Sequence, residues 1–329
     1  MMSGTNTDDK NTTPPWAKDL PHPEYALFPR VLEEDPWYEI YLVASGIYAF
    51  YEPGHFQEVI SFLVLGSDKA LLWDTGMGFA PLKPLIQKLT FLPLTVINSH
   101  LHLDHVAGNH EFGAAYAWPS SAALMARQGR SNDLLGRSLT AESFAKPLPT
   151  GMSTQNYTIQ PWAFLPIPQG NDLPDGFGFT TSIRDLSSIH AEAQELFTGT
   201  AFDLGDRQLD ILYTPGHSID SIMLFDSLTN GIFTGDTVYP ASLYAHLLSE
   251  EFDVFATYCD TMRRLQLLEP ACSCIYPSHN LPLYDKGLLG RVATKMTAIE
   301  EGTATGEATP YSSLLTYRGK DFSVIVRHL

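Results

Sequence analysis

The first part of this 329-residue chain has no repeating apolar position. Residues 1 to about 36 are polar and proline-rich, a pattern that predicts a flexible or surface-wrapping extension. From Trp37 the character changes. "EIYLVASGIYAFYE" and "EVISFLVLGSDKALLWDTG" are dense in β-branched, aromatic and aliphatic residues, with Gly66, Ser67 and Asp68 as the turn between two strands. They predict a meander that begins a sheet. "PLKPLIQKL" (Pro81 to Leu89) then shows helical spacing behind a proline suited to a first turn, and "PLTVINSH" returns to strand character, which makes a β-α-β passage.

Residues 119 to 130 read as another helix. The stretch from Lys146 to Phe179 is punctuated by proline and glycine and lacks a period, and its Trp162, Phe164, Phe177 and Phe179 favour a packed binding loop. Strand signals resume with "RQLDILYTPGHS", "SIMLFDS" and "GIFTGDTVY". Asp253 to Leu268 reads as an amphipathic helix, "CIYPSHN" as a strand into a loop, residues 288 to 301 as a helix and "DFSVIVRHL" as a last strand. The organisation expected is an extension over residues 1–36 and one domain over 37–329, with a substrate-loop insertion near 147–180.

Charge and cysteine content narrow the partners. With 20 basic against 37 acidic residues the formal charge is -17, a field that repels a phosphate backbone, so nucleic acid is excluded as a partner. A hydrophobic share of 44% is enough to bury a sizeable core. Cys259, Cys272 and Cys274 are too few for a disulfide framework and lack zinc-knuckle spacing, and they read as reduced thiols near the core. No signal-like start and no apolar run of membrane-spanning length is found, so no membrane partner is expected and the default compartment is the cytoplasm. The expected partner is a small-molecule substrate, with a homodimer contact open to the N-terminal extension.

The chemistry is concentrated in "SHLHLDH", Ser99 to His105, which holds three of the chain's 11 histidines. Chance produces H-x-H-x-D-H in a chain of this size with a probability on the order of 10⁻³. Side chains at i and i+2 of an extended segment share a direction, so His100 and His102, just past "LTVIN", can reach one ion from the sheet end. Asp104 and His105 follow where the chain can turn them to a second point. Later β-rich stretches end in His217 ("YTPGHS"), Asp236 ("FTGDT") and His279 ("YPSHN"). Five histidines and two aspartates suit two adjacent divalent ions, zinc first, with Mn, Fe or Co also accepted, sharing a bridging carboxylate and hydroxide.

Taken in order, "WDTG" (Trp73 to Gly76), the H-x-H-x-D-H run, "TPGHS", "GD" and the last histidine resemble the motifs of the metallo-β-lactamase superfamily of hydrolases. The resemblance extends from about Trp37 to the C-terminus. It implies an α/β fold, an αββα sandwich with metals at one edge between two mixed sheets. Carried over residue by residue, it implies that His100, His102 and His217 hold one ion, that Asp104, His105 and His279 hold the other, and that Asp236 bridges them. Asp74 matches a position that supports the site from behind the ligands, where a carboxylate can orient an imidazole, although a turn residue is the alternative reading. His55 and His246 are weighed as pocket residues against the surface or core role usual for a lone histidine. His22, His110, His190 and His328 read as structural or surface residues.

Two ions about 3.5 to 4 Å apart acidify a bridging water and polarise a carbonyl or phosphoryl oxygen. Asp104 then has two candidate roles, general base or ligand, and the resemblance favours the ligand. Flavodiiron-type oxygen reducers carry a glutamate where this chain has His102, which favours hydrolysis. Glyoxalase II, acyl-homoserine lactonases and related esterases keep all seven ligand types, and the lactonases place a tyrosine at the offset of Tyr239 in "GDTVY". A phenol there can hydrogen-bond developing negative charge, or be an ordinary packing aromatic. The chain therefore reads as a dinuclear-metal hydrolase of a small-molecule ester or lactone. The alternatives are phosphoesterase or β-lactam hydrolysis on the same site, an iron-dependent sulfur dioxygenase, and a non-catalytic binding protein.

Overall fold

The computed structural model describes residues 14–32, 35–122, 139–155, 157–170, 173, 178–245, 254–309 and 313–327. Eight strands follow one another across the first sheet: β1 (Arg30–Val31), β2 (Glu39–Ala44), β3 (Ile47–Tyr51), β4 (Ile60–Leu65), β5 (Ala70–Trp73), β6 (Leu94–Ile97), β7 (Ala114–Ala117) and β8 (Ala163–Pro166). The meander from β1 to β5 is antiparallel. Beyond β5 the pairing turns parallel. The change follows from α1 (Lys83–Leu89), because a parallel return needs a long crossover and not a tight turn.

The chain continues through α2 (Leu103–Val106), β9 (Phe179–Thr181), α3 (Ala191–Gln194), β10 (Phe197–Asp203), β11 (Gln208–Tyr213), β12 (Ile222–Asp226), β13 (Gly231–Gly235) and β14 (Ser242–Tyr244). It ends with α4 (Val254–Leu268), β15 (Cys274–Pro277), α5 (Leu288–Glu300), β16 (Glu307–Ala308), β17 (Leu314–Arg318) and β18 (Ser323–Arg327). The second sheet has the order β15-β13-β12-β11-β10-β9, antiparallel except where α4 crosses over between β13 and β15. A small third sheet has the order β14-β18-β17-β16.

Strand alternation distributes the side chains between layers. Ile60, Phe62 and Val64 of β4 and Trp73 of β5 meet Ile211, Leu224 and Phe233 between the two large sheets. Leu63 and Leu72 face the other way and pack with Leu85 and Ile86 of α1. Met223, Phe225 and Ile232 leave the opposite side of the second sheet and pack with Met262 and Leu265 of α4 and with Val292 and Met296 of α5. Strands buried on both faces read as continuous apolar runs, as "ISFLVL" and "IMLFD" do. The result is the αββα sandwich that the motifs imply.

The expected aromatic loop needs revision. Of the aromatics assigned to a binding loop, Phe164 lies in β8 and Phe179 in β9, which are edge strands of the two large sheets. Strands of four and three residues between prolines and glycines are too short to show a period. Trp162 and Phe164 pack on Leu101 and Val106, which flank the histidine cluster, whereas Phe177 falls outside the described residues. The expected helix over 119–130 is described only as far as Ala122, where a helical turn begins.

Part of the N-terminal extension lies against the rest of the chain. Its residues 14–32 belong to the domain: β1 pairs with β2, and Tyr25 is buried in the core between the sheets. The Tyr25 ring stacks on Tyr51 at 4.4 Å and tilts against Tyr41 at 4.8 Å. The composition changes near residue 36, yet packing runs across it, since Phe28 joins Tyr25 on this core and Val31 and Leu32 pack on the outer one. Among the described residues, no helix is long and apolar enough to cross a membrane.

Removing the Tyr25 ring leaves a cavity among rings that relax only in part. Tyr25→Ala is expected to cost about 3 kcal/mol of stability in urea denaturation. A change below about 0.5 kcal/mol, typical of an exposed position, would show that the arm is not docked.

Candidate metal centre

Every candidate ligand follows the C-terminal end of a strand. Because β11 and β13 are each antiparallel to β12, and β15 is parallel to β13, the ends of β11, β13 and β15 lie on one edge of the second sheet. His217, Asp236 and His279 come just beyond those ends. In the first sheet the parallel strands β5 and β6 are followed by Asp74 and by the Ser99–His105 run. Backbone hydrogen bonds join the sheets here, from Ile222 to the Ser99 carbonyl at 2.9 Å and from Ile60 to the Ser278 carbonyl at 2.8 Å.

The seven side chains form two groups with one shared member. His100, His102, His217 and Asp236 make the first, and Asp104, His105, Asp236 and His279 the second, with donor atoms in each group within 4.8 Å of one another. In the first group His102 presents Nδ1 to Nε2 of His100 and His217, at 2.8 and 2.9 Å. Asp236 turns Oδ2 to this group, 3.4 Å from His217 Nε2 and 4.0 Å from His100 Nε2. Its Oδ1 faces the second group, 3.1 Å from His105 Nε2 and 2.9 Å from His279 Nε2. Asp104 Oδ2 stands 3.6 and 3.7 Å from the same two nitrogens.

The local backbone explains how these side chains converge. β6 stops at Ile97, so His100 and His102 lie in a loop and not in a strand, and Asp104 and His105 occupy the single turn of α2. Gly235 precedes Asp236 with φ +51°, where an added Cβ would lie 2.9 Å from Ser99 Cβ. Gly216 before His217 likewise has no room, since its Cβ would meet the Tyr258 ring at 2.5 Å. The Tyr258 hydroxyl donates to the Thr237 carbonyl, which ties α4 to both ligand loops.

Behind the ligands, Asp74 is fully buried with φ +61°, a strained conformation for a non-glycine residue. Its Oδ2 bonds His105 Nδ1 at 2.9 Å and accepts from Ser99 Oγ at 2.8 Å, and its Oδ1 accepts from the Ser99 amide at 2.7 Å. The bond to Nδ1 leaves His105 Nε2 for the site. His279 is set the same way, with Nδ1 donating to the Gln57 carbonyl at 2.6 Å. Asp220 accepts from the Leu101 amide and from Ser121 and Ser218, which joins the H-x-H-x-D-H loop to the His217 loop.

Gln57, Asp220 and Ser278 were not singled out in the sequence. Asp220 had a signal in "GHSIDS", but Gln57 and Ser278 had none, since their role depends on contacts across the fold. Among the other histidines, His55 is buried between Phe56, Phe79 and Phe144. His22 bonds Glu58, His110 bonds the Ala107 carbonyl and His190 caps α3. His246 and His328 fall outside the described residues. Tyr239 lies against His279 at 5.0 Å between ring centroids, and its hydroxyl donates to the Ser242 carbonyl at 2.5 Å. In this structure the phenol proton is thus taken by a backbone carbonyl.

The electrostatics separate the two groups. Burial, reinforced by His105 and His102, holds His100 well below its ordinary range, and burial pushes His217 down to about 3. Both imidazoles are held in the neutral form, the one that binds a cation. Burial also opposes charge on His105 and His279, but Asp236 and Asp104 outweigh it and raise both. The two carboxylates thus favour positive charge on this side of the site, which a bound cation would supply. His105 Nε2 and Asp236 Oδ1 are buried and aimed at each other without a hydrogen bond, as donors to a common ion are. The residues present therefore fit divalent ions of the kind bound by nitrogen and oxygen donors.

Comparison with known proteins agrees with this chemistry. The family model of the metallo-beta-lactamase superfamily matches residues 56–279. The acyl-coenzyme A thioesterase MBLAC2 of Homo sapiens is 26% identical over 245 residues, covering 70% of this chain and 76% of that protein. A hydroxyacylglutathione hydrolase of Hahella chejuensis is 32% identical over 99 residues, 30% of this chain and 37% of that protein. Among solved structures, a metallo-beta-lactamase from Pontibacter korlensis covers 79% of this chain and 99% of its own, with a TM-score of 0.48 and 17% identity.

The turn that carries Asp74 rests on a buried acid, Glu52. Its carboxylate accepts from Trp37 Nε1 at 2.7 Å and from the Met77 amide at 3.0 Å. Burial outweighs these bonds and raises its pKa from an ordinary 4.5 to about 7. Folding thus favours the protonated acid, and the stability gained, complete below about 4.5, is lost as the pH rises through 7. In urea titrations the advantage of the wild type over Glu52→Leu, which cannot titrate, should fall by roughly 2 to 3 kcal/mol between pH 5 and pH 8. A constant difference would mean that Glu52 ionises as it does in water.

Proposed function

We propose that this chain, which belongs to the metallo-β-lactamase superfamily, hydrolyses acyl esters of small molecules at a dinuclear metal centre, with thioesters as the preferred class. The observation that carries the reading is the division of Asp236, one oxygen to each of two ligand groups. His100, His102 and His217 would hold one divalent ion and Asp104, His105 and His279 the other. Two such ions supply an acidified water near neutral pH and a Lewis acid for the carbonyl.

The residues of the chain set the geometry. Neutral His100 and His217 offer lone pairs, and Asp74 and the Gln57 carbonyl fix the tautomers of His105 and His279. Hydrolysis forms one C–O bond and breaks the C–S or C–O bond of the leaving group, which departs with a proton. Asp104 is a ligand in this reading, and Tyr239 positions His279 by packing. The preference for thioesters over the ester or lactone expected from sequence rests on the relatives. Both curated proteins are named for acyl groups carried on a thiol, coenzyme A in one and glutathione in the other.

Asp236→Ala and His102→Ala should each lose bound metal and turnover together, by at least about 100-fold in kcat/KM, as read by elemental analysis and steady-state kinetics. On a panel of an acyl-coenzyme A, a hydroxyacylglutathione, a lactone, p-nitrophenyl acetate and a phosphodiester, the thioesters should show the highest kcat/KM. Full turnover after complete chelation would end the metal mechanism. Preference for the phosphodiester would move the chain to phosphoryl chemistry.

A further inference from the structure

Gln57 lies half-buried in the turn between β3 and β4, and it reaches two members of the second ligand group through different atoms. Its side-chain Nε2 donates to Asp104 Oδ2, and its main-chain carbonyl accepts from His279 Nδ1. Asp104 Oδ2 is the oxygen that faces His105 and His279, so the carboxamide holds the atom that would meet the ion. Gln57 donates to the Asp104 carboxylate, whereas the His105 and His279 nitrogens stand beyond hydrogen-bond distance at 3.6 and 3.7 Å. Asp104 sits on a helix of four residues, which by itself gives little rigidity.

The turn that carries Gln57 is itself fixed. Glu58 and Asn280, next to Gln57 and His279, both have positive φ, +48° and +65°. Asn280 closes the pair by donating its amide to the Glu58 carbonyl at 3.2 Å and Nδ2 to Glu58 Oε1 at 3.1 Å. The other Glu58 oxygen accepts from Tyr51 at 2.6 Å and bonds His22 of the N-terminal arm at 2.8 Å. A side chain on so constrained a turn keeps its aim. The choice of a carboxamide is also chemically apt, because it orients a carboxylate without adding positive charge. A lysine or arginine at the same reach would compete with the ion.

We propose that Gln57 is a positioning residue for the second metal ion, fixing Asp104 through its side chain and His279 through its backbone. The proposal rests on the reading that Asp104 and His279 are ligands. It predicts an asymmetric defect: loss of the carboxamide weakens the second ion and spares the first, whose ligands Gln57 does not touch.

The test is stepwise Zn²⁺ titration of the full chain against a chromogenic chelator, for the wild type, Gln57→Met and Gln57→Ala. Methionine keeps the length and packing without the donor, and the main-chain contact to His279 survives in both variants. One of the two stepwise dissociation constants should rise about 10- to 100-fold, with the other unchanged within about twofold. A purely structural role would lower Tm and leave the ratio of the two steps as in the wild type. Two unchanged steps, or equal weakening of both, in a variant that still unfolds cooperatively, would overturn the assignment of Gln57 alone. A wild type that binds no second ion would overturn the dinuclear reading and this proposal with it.

Discussion

The buried carboxylate of Asp74 is the contact on which the site's geometry depends. It receives the Ser99 amide and hydroxyl and bonds His105 within the first sheet, and it is reached by Ser278 Oγ of the second at 3.4 Å. An acid buried this deeply is tolerable only when its lone pairs are filled. Filling them brings together the strand ends that carry the H-x-H-x-D-H loop and the last histidine. The strain at its φ of +61° is the local cost of aiming one carboxylate at both sheets.

Topology supplies the rest. Strands joined by helical crossovers run in parallel, and parallel strands bring their C-terminal ends to a common edge. The first sheet does this at β5 and β6, the second at β13 and β15, and the sandwich sets the two edges against each other. Loops at such an edge carry chemistry while the strands below them carry stability. The two sets of residues scarcely overlap here: the core between the sheets is Phe62, Trp73, Phe233 and their neighbours, and the site is almost wholly polar.

Much of this was legible in the sequence, for physical reasons. The candidate ligands are rare residue types at strand-to-loop junctions, and the buried strands are long apolar runs, so both stood out in one dimension. What stayed hidden depends on partners distant in sequence. Phe164 and Phe179 looked like loop aromatics because their edge strands are too short to show alternation. Tyr25 sat in a polar stretch, and its anchoring role exists only between Tyr41 and Tyr51. Gln57 lies 47 residues from Asp104 and 222 from His279, so no spacing rule selects it. Tyr239, whose offset from Asp236 left a donor to developing charge and a packing aromatic both open, gives its proton to the Ser242 carbonyl, a contact no spacing shows.

The separation of the ligands along the chain also bears on how the protein folds. The unfolded polypeptide offers a cation only the local run from His100 to His105, whereas the folded one adds His217, Asp236 and His279 from the other sheet. If these residues hold ions as proposed, metal affinity and global stability are thermodynamically linked, and the free metal concentration would set how much the native state is favoured, offset by residual binding to the unfolded run. Because both sheets must close before the ion is fully held, metal release and opening of the sandwich draw on the same free energy. On the proposed reading, metal supply would then act on the lifetime of the fold as well as on its chemistry.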